Sequence, residues 1–446
     1  MRRLVSAFIT MRDDASSNAR HESRLSRAFF ALIAISILVR VAIALNFRER
    51  ASYDTSGFVL TADAIRNFDF SRYDGRRTPV YPMLLLIAGM DWSVVRWIQC
   101  VLGVAVAAMM FRIAWYRTRN VAVSFIVGLL SSLALSELLY EQIIYSETLC
   151  TFWIVLSMLA FARIDIDADS GSRSWNYALL GIAAALAGMT RPMFLYLAPL
   201  YFCLVLSRAR MRTALALVLA PTLVFALGWS AVNQHTIDYF GVTTTTGFNL
   251  SNHSGGFMEL APPRYARIAD IYLRDRAWQI SRMGSHTMTI WLAEDEIKRA
   301  TGLTTAQLSK ELTRMSLQMF AQHPMLYLQS VARAWMRFWG FGFFDFVSAY
   351  KDSAGGAGYA MLLVLGSFQL AINLAFLITA ALAVSRWIRG RARFDFDLGI
   401  IAIVLVGSIV QAFMEYGENV RYLAPMVPLT IYISTTQLWR VCRPNP

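Results

Sequence analysis

Charge is scarce in this chain. Only 16% of its 446 residues are Asp, Glu, Lys or Arg, and 57% are hydrophobic. Soluble domains carry about 25% charged residues, so an ordinary soluble domain is excluded. Histidine is sparse too: His21, His235, His253, His286 and His323 show no HxxxH or HxH spacing, so no metal site is built from them. The four cysteines, Cys100, Cys150, Cys203 and Cys442, have neither metal-ligand spacing nor a place in a long polar loop. Neither zinc nor a disulfide framework is indicated. The Walker, GxGxxG and GxSxG patterns are all missing, which leaves a soluble nucleotide-driven mechanism without support. No low-complexity linker, solenoid-period repeat or inverted repeat is found.

What the chain has is long apolar runs. A bilayer crossing needs about 20 mostly apolar residues. Ten such segments are expected, at 28–46, 93–116, 121–139, 147–163, 176–190, 193–207, 213–232, 359–385, 397–414 and 421–440. The reading is an all-α polytopic membrane protein forming one integral membrane domain, 1–446. Net charge is +13, but the arginines flank apolar runs instead of forming one patch, so nucleic acid is not the expected partner. Arg2, Arg3, Arg12, Arg20, Arg24 and Arg27 precede the first run. Arg117 and Arg119, Arg208 to Arg212, Arg386 to Arg393, and Arg440 with Arg443 follow later ones. Ten crossings put all of them on one side, which should be the cytoplasm, along with both termini. Residues 1–27 then form a cytoplasmic leader. A signal sequence with Ala42 and Ala44 near a cleavage site is the rival, and a retained first span is favoured.

Two polar segments face outward in this topology, 47–92 and 233–358. The second is expected to be a small mixed segment. Thr243–Thr246 reads as strand or loop, Asn252–Gly256 as a turn cluster, and 263–320 as helical. The aromatic run 325–344, with Arg333 and Arg337 on one helix face, reads as an interfacial helix, with a spanning helix as the rival. Val80–Met90 is too short to cross and is expected to dip into the outer leaflet.

The densest polar stretch between apolar runs is Tyr53–Pro82. Asp54 begins a short amphipathic helix expected over 54–67. Its carboxylate suits either an N-cap or a general base whose pKa is raised toward working pH by partial burial. Asp63 reads as a solvated charge, while Asp69 and Asp74 belong to a loop turned by Gly75. Arg76 and Arg77 suit phosphate, or lipid headgroups reached by snorkelling. Glu147 opens an apolar run, facing a cavity or simply complementing the helix dipole. Arg191 sits in a very short outward loop, where positive charge is unusual. Arg40 lies inside the first span and needs an acidic partner, a cavity or the interface. Glu415, Glu418, Asn419, Arg421 and Tyr422 cluster before the last run, with Glu418 and Arg421 spaced to pair.

The order of these features resembles a known family. Asp54 is followed by RTPVYP at 77–82, then SETLCTFWIVLSMLA at 146–160, GMTRPMFLYLAPL at 188–200, TGFNLSNHSGG at 246–256, HPMLYLQSVARAWMRFW at 323–339 and ENVRYLAPMVPL at 418–429. The series resembles the integral-membrane glycosyltransferases of the GT-C superfamily, in the branch of dolichyl-phosphate-mannose protein mannosyltransferases and aminoarabinose transferases. The resemblance runs along nearly the whole chain and implies a GT-C-like fold. It implies hexosyl or pentosyl transfer from a polyprenyl-phosphate donor to a glycan, lipid or protein acceptor, at the periplasmic face of the inner membrane. Asp54 matches the family's general base. Thr55 stands where a second carboxylate often follows, which leaves Asp63 and Glu147 as candidates for that role. Arg77, Arg191 and Arg421 would bind the donor phosphate, and Arg40, Tyr81, Glu418 and Tyr422 would line the substrate cavity. Single displacement with inversion needs only one carboxylate. Asp54 with Glu147 could hold a divalent ion, but nothing requires one, and no cofactor is implied. The rival functions are a transporter or flippase of lipid-linked sugars and a non-catalytic assembly protein.

Overall fold

The computed structural model describes residues 2–46, 49–166, 173–206, 209–341 and 351–442. Arg208 and Arg443 of the expected basic clusters lie outside them. Among the described residues the chain is helical, with short 3-10 and π turns. Its β-type pairing is one isolated bridge, Arg50 with Ile143.

The first half comprises α1 (Arg2–Asn46), α2 (Thr55–Asn67), α3 (Val80–Ile87), α4 (Trp92–Thr118), α5 (Val121–Ser132), α6 (Leu135–Tyr140), α7 (Glu147–Ile166), α8 (Arg173–Thr190) and α9 (Leu197–Val205). Then come α10 (Met211–Ile237), α11 (Thr245–Ser254), α12 (Ala266–Met283), α13 (Thr289–Thr301), α14 (Thr305–Gln322) and α15 (Pro324–Met336). The chain continues through α16 (Lys351–Ile388), α17 (Phe396–Met414), α18 (Asn419–Leu423) and α19 (Val427–Cys442).

Among the described residues, six helices are long and apolar enough to cross a membrane: Glu22–Asn46, Trp92–Thr118, Glu147–Asp165, Met211–Ile237, Leu363–Ile388 and Phe396–Met414. Val121–Ser132 and Pro192–Val205 are shorter apolar helices. The remaining two expected runs also fall on helices, α8 and α19. Among its described residues the protein is all-helical, with the long apolar helices of an integral membrane protein. Its main core is formed chiefly by α4, α5, α7, α8, α9, α17 and α19, through side chains such as Met110, Phe161, Tyr201, Ile403 and Tyr432.

The expected run 121–139 is broken after Ser132. The break carries Glu141 to Arg40, whose Nη2 donates to Glu141 Oε1 at 2.6 Å. Arg40 Nη1 also donates to Ser36 Oγ at 2.7 Å and Ser132 Oγ at 2.9 Å. A Cβ at Gly103 would come within 2.0 Å of Glu141 Oε1, so any side chain there would have to displace this pair. Arg40 is 2% exposed and Glu141 0%. A charge buried this deeply is tolerated because it is paired and hydrogen-bonded.

Helices α11 to α14 form a layer with its own core of Phe248, Tyr272, Ile290, Leu312, Met315 and Met319. Here the expected turn cluster is corrected, as is the strand or loop at Thr245 and Thr246; Thr243 and Thr244 do lie in a loop. Thr245 and Thr246 begin α11, and Asn252 to Ser254 end it. Residues 252–254 are polar, but they are buried between helices instead of turning in solvent. His253 Nδ1 lies 2.7 Å from Ser330 Oγ and Ser254 Oγ lies 3.0 Å from Ser316 Oγ, so tertiary partners, not local turns, engage these two side chains.

Helix α15 has 13 residues, about 20 Å of rise, and runs into a π turn at Arg337–Phe341 with Gly340 at φ 93°. That is shorter than the ~30 Å apolar layer. Ser330, Val331 and Ala334 are buried, whereas Met325, Leu328 and Met336 are exposed. The helix is therefore amphipathic, and its apolar outer face suits a membrane surface. Residues 342–344 lie outside the described residues.

Candidate active site

Asp54 stands at the N-cap position of α2, but its side chain caps nothing. The residue is already in αR geometry, and its carboxylate turns away from the helix. Arg77 Nη2 donates to Oδ1 at 2.6 Å and Arg421 Nη2 donates to Oδ2 at 2.7 Å. The N-cap role is thus not the one its oxygens serve.

Arg421 joins Asp54 to a second, deeper carboxylate. Its Nε donates to Glu147 Oε1, the same oxygen that accepts from Arg191 Nη1. Its Nη1 donates to Glu418 Oε2 at 2.8 Å. Glu147 is 1% exposed while Asp54 is 22% exposed, so the network runs from the interior to an accessible edge. Aromatic faces back each guanidinium. Tyr145 lies 4.1 Å from Arg421 Cζ, Tyr422 4.8 Å from Arg191 Cζ and Phe58 4.9 Å from Arg77 Cζ. Such contacts hold a cation in one plane without using its donors.

Sequence position alone gives no hint of this convergence. Asp54 precedes α2, Arg77 lies just before α3, Glu147 opens α7, Arg191 follows α8 and Arg421 lies in α18. Five chain segments therefore end at one place. Arg191 precedes Pro192, which starts a 3-10 turn and ends the α8 ladder, turning the side chain inward. Arg421 lies in the five-residue α18, just after the break that follows α17.

Electrostatics corrects one expectation. Burial would raise the Asp54 pKa, as the sequence argument supposed. The Arg77 and Arg421 guanidiniums outweigh burial and hold it well below the usual carboxylate range. Asp54 is therefore ionised throughout the neutral range, but is a weak base while both arginines hold it. A depressed carboxylate pKa contributes stability above the unfolded value, and that stability is lost as pH falls through the folded one. Glu415 behaves oppositely: burial, then the neighbouring Glu418 charge, pushes it up to about 7.

Of the two candidates for a second carboxylate, Glu147 joins the network and Asp63 lies exposed on α2 away from it. Tyr81 is fully buried behind the site, donating to Gln99 Oε1 at 2.8 Å and packing edge-on against Phe58. Arg40 does not join the site; its guanidinium is held by Glu141, Ser36 and Ser132. Tyr145 and Phe58 were missed by sequence reasoning. Tyr145, two residues before Glu147, offers a signal only once Glu147 is known to face inward. The donor set suits a divalent cation poorly. Both oxygens of Asp54 and one of Glu147 already take guanidinium donors, and three positive side chains in the cluster would repel a dication. No group of three or more His, Cys, Asp or Glu side chains able to hold a metal occurs among the described residues.

No protein-family model matches this chain, and no curated protein sequence matches it. Solved structures similar to it include the archaeal oligosaccharyltransferase AglB from Archaeoglobus fulgidus, in complex with an inhibitory peptide and a dolichol-phosphate. That likeness has 13% identity and a TM-score of 0.47, covering 94% of this chain and 52% of AglB. ArnT from Cupriavidus metallidurans bound to undecaprenyl phosphate is similar at 13% identity and a TM-score of 0.39, covering 91% of this chain and 77% of ArnT. The chain thus spans about half the length of AglB.

Proposed function

We propose that the protein is a GT-C type glycosyltransferase that moves a sugar from a polyprenyl-phosphate donor to an acceptor hydroxyl at the periplasmic membrane face. The observation that carries this reading is the single network formed by Asp54, Glu147, Arg77, Arg191 and Arg421 at the ends of apolar helices. A polyprenyl tail partitions into the bilayer and leaves its phosphate at headgroup depth. Guanidiniums pair with phosphate as well as with carboxylate, through the same planar fork. The order of motifs from Asp54 to ENVRYLAPMVPL supports the same assignment.

The chemistry follows from an exchange of partners. An arriving phosphate competes with Asp54 for Arg77 and Arg421. As those cations turn to the phosphate, the Asp54 carboxylate regains proton affinity beside the anomeric carbon. The acceptor oxygen attacks that carbon and its proton passes to Asp54. The bond from the anomeric carbon to the phosphate oxygen breaks, and its electron pair stays on the phosphate. The three arginines stabilise the charge that develops there, so no general acid is needed. One base and one departing group on opposite faces give inversion.

The test is transfer by purified protein reconstituted in vesicles with radiolabelled polyprenyl-phosphate sugars, alongside mass spectrometry of cell-envelope glycolipids and glycans with and without the gene. A glycosylated acceptor formed in vitro, and missing in the deletion strain, is the expected result. Movement of the labelled lipid across the bilayer without any glycosyl product would replace this reading with a transporter.

A further inference from the structure

Arg76 and Arg77 are covalent neighbours whose guanidiniums grip different parts of the molecule. Arg77 reaches Asp54. Arg76 reaches Glu294 on α13, in the layer built by α11 to α14. Its Nη2 donates to Glu294 Oε1 and its Nε lies 3.1 Å from Asp74 Oδ2. The Arg76 guanidinium also sits 5.5 Å from the Phe248 ring and 5.4 Å from the Trp291 ring, and those rings stack at 4.7 Å. Glu294 is only 7% exposed and is itself held by Lys298 at 3.2 Å and Thr305 Oγ1 at 3.4 Å.

The backbone around the pair is fixed to the same layer. Thr243 Oγ1 donates to Arg76 O at 2.8 Å, Thr244 N to Gly75 O at 2.9 Å and Thr244 Oγ1 to Asp74 O at 2.9 Å. Gly75 has φ +76°, and a Cβ there would come within 2.4 Å of Ile237 Cδ1. The turn can therefore lie this close to α10 only with glycine. On its other side Arg77 leans on Phe58 and passes Gly57, where a Cβ would stand 3.0 Å from Arg77 Nε. The register of Arg77 against Asp54 is thus set through one peptide unit by what holds Arg76.

We propose that Glu294 is a positioning residue for Asp54, acting through Arg76 and Arg77, so that the α11–α14 layer fixes the geometry of the candidate base from outside the membrane core. The inference rests on the reading of Asp54 as that base. Glu294 touches no reacting atom; it determines where a neighbouring residue's guanidinium lies. The charged and titratable groups around Asp54 are Arg77, Arg421, Arg191, Tyr145 and Glu147, and of these only Arg77 is joined to Arg76 through the chain. Small displacements at a reacting group are costly, up to about a hundredfold for 1 Å.

The experiment compares full-length Glu294→Gln, Glu294→Asp and Arg76→Ala with wild type and Asp54→Asn, using Glu311→Gln in the exposed Arg314 pair as control. Transfer from a polyprenyl-phosphate sugar is measured as kcat and donor KM. Hydrogen exchange is measured at the amides of 55–58 and 76–78. Glu294→Gln and Arg76→Ala are expected to lower kcat about tenfold with donor KM within about twofold, consistent with loss of positioning rather than of binding. Glu294→Asp should recover most of the rate. The amides of 55–58 should exchange faster in Glu294→Gln and as in wild type in Glu311→Gln. Wild-type kcat and unchanged exchange in Glu294→Gln would overturn the inference, even with Asp54→Asn inactive. Full activity in Asp54→Asn would instead remove the base, and this inference with it. If no donor tried is turned over, the exchange at 55–58 decides: unchanged protection in Glu294→Gln overturns the coupling.

Discussion

Asp54→Asn is expected to reduce transfer by about a thousandfold while leaving the protein inserted and folded. General-base catalysis contributes about 10² to 10⁴ in rate. Asparagine keeps the shape but cannot take the acceptor's proton. It also leaves Arg77 and Arg421 without their shared carboxylate, so donor affinity should hold or rise as the arginines become free for phosphate. Loss of kcat without a rise in KM is the signature to measure. The acid side of the wild-type pH profile carries a second check. Because the arginines hold Asp54 below the ordinary carboxylate range, lowering the pH from 7 to 5 should not protonate it in the resting enzyme. The profile to measure is kcat/KM, which reports the free enzyme: a fall there with an apparent pKa near 7 would point to another group, and burial pushes the nearby Glu415 up to about 7.

Glu147→Gln should have the largest effect on stability. Glu147 is 1% exposed and one of its oxygens accepts from both Arg191 and Arg421. Removing its charge leaves two largely buried guanidiniums short of an anion. Breaking a buried ion pair in this way costs about 3–5 kcal/mol. The measurement is thermal unfolding in detergent followed by size-exclusion chromatography, with Asp54→Asn as the reference. Glu147→Gln should unfold at a clearly lower temperature and lose activity together with it. Wild-type stability with lost activity would instead give Glu147 a chemical role and end its assignment as the fixed centre of the arginine network.

The sequence made much of the bundle legible, because apolar runs of about 20 residues have few other uses. The expected runs are largely helical, though 121–139 breaks after Ser132 and 421–440 is interrupted by a 3-10 turn at Ala424–Met426, and Gly75 does turn its loop, with positive φ. Asp54, Arg77, Glu147, Arg191, Glu418 and Arg421 could be picked out individually, as charges placed beside apolar runs. Their partners could not. Arg40 needed an acid, but its partner Glu141 lies 101 residues away and becomes reachable only through the break after Ser132. The pKa direction at Asp54 failed for the same reason: burial is readable from flanking residues, but the approach of Arg421, 367 residues away, is a tertiary fact. Thr245 and Thr246 misled because β-branching argued against helix, and Asn252–Gly256 because its polar residues read as a turn. In the fold Thr243 and Thr244 bind the 74–76 loop, and His253 and Ser254 bind Ser330 and Ser316.

The most direct measurement is a structure of the purified protein with a polyprenyl phosphate bound. The account predicts phosphate oxygens within hydrogen-bond reach of Arg77, Arg191 and Arg421, with the Asp54 carboxylate released from at least one guanidinium. A phosphate bound elsewhere, with both arginines still on Asp54, would contradict it.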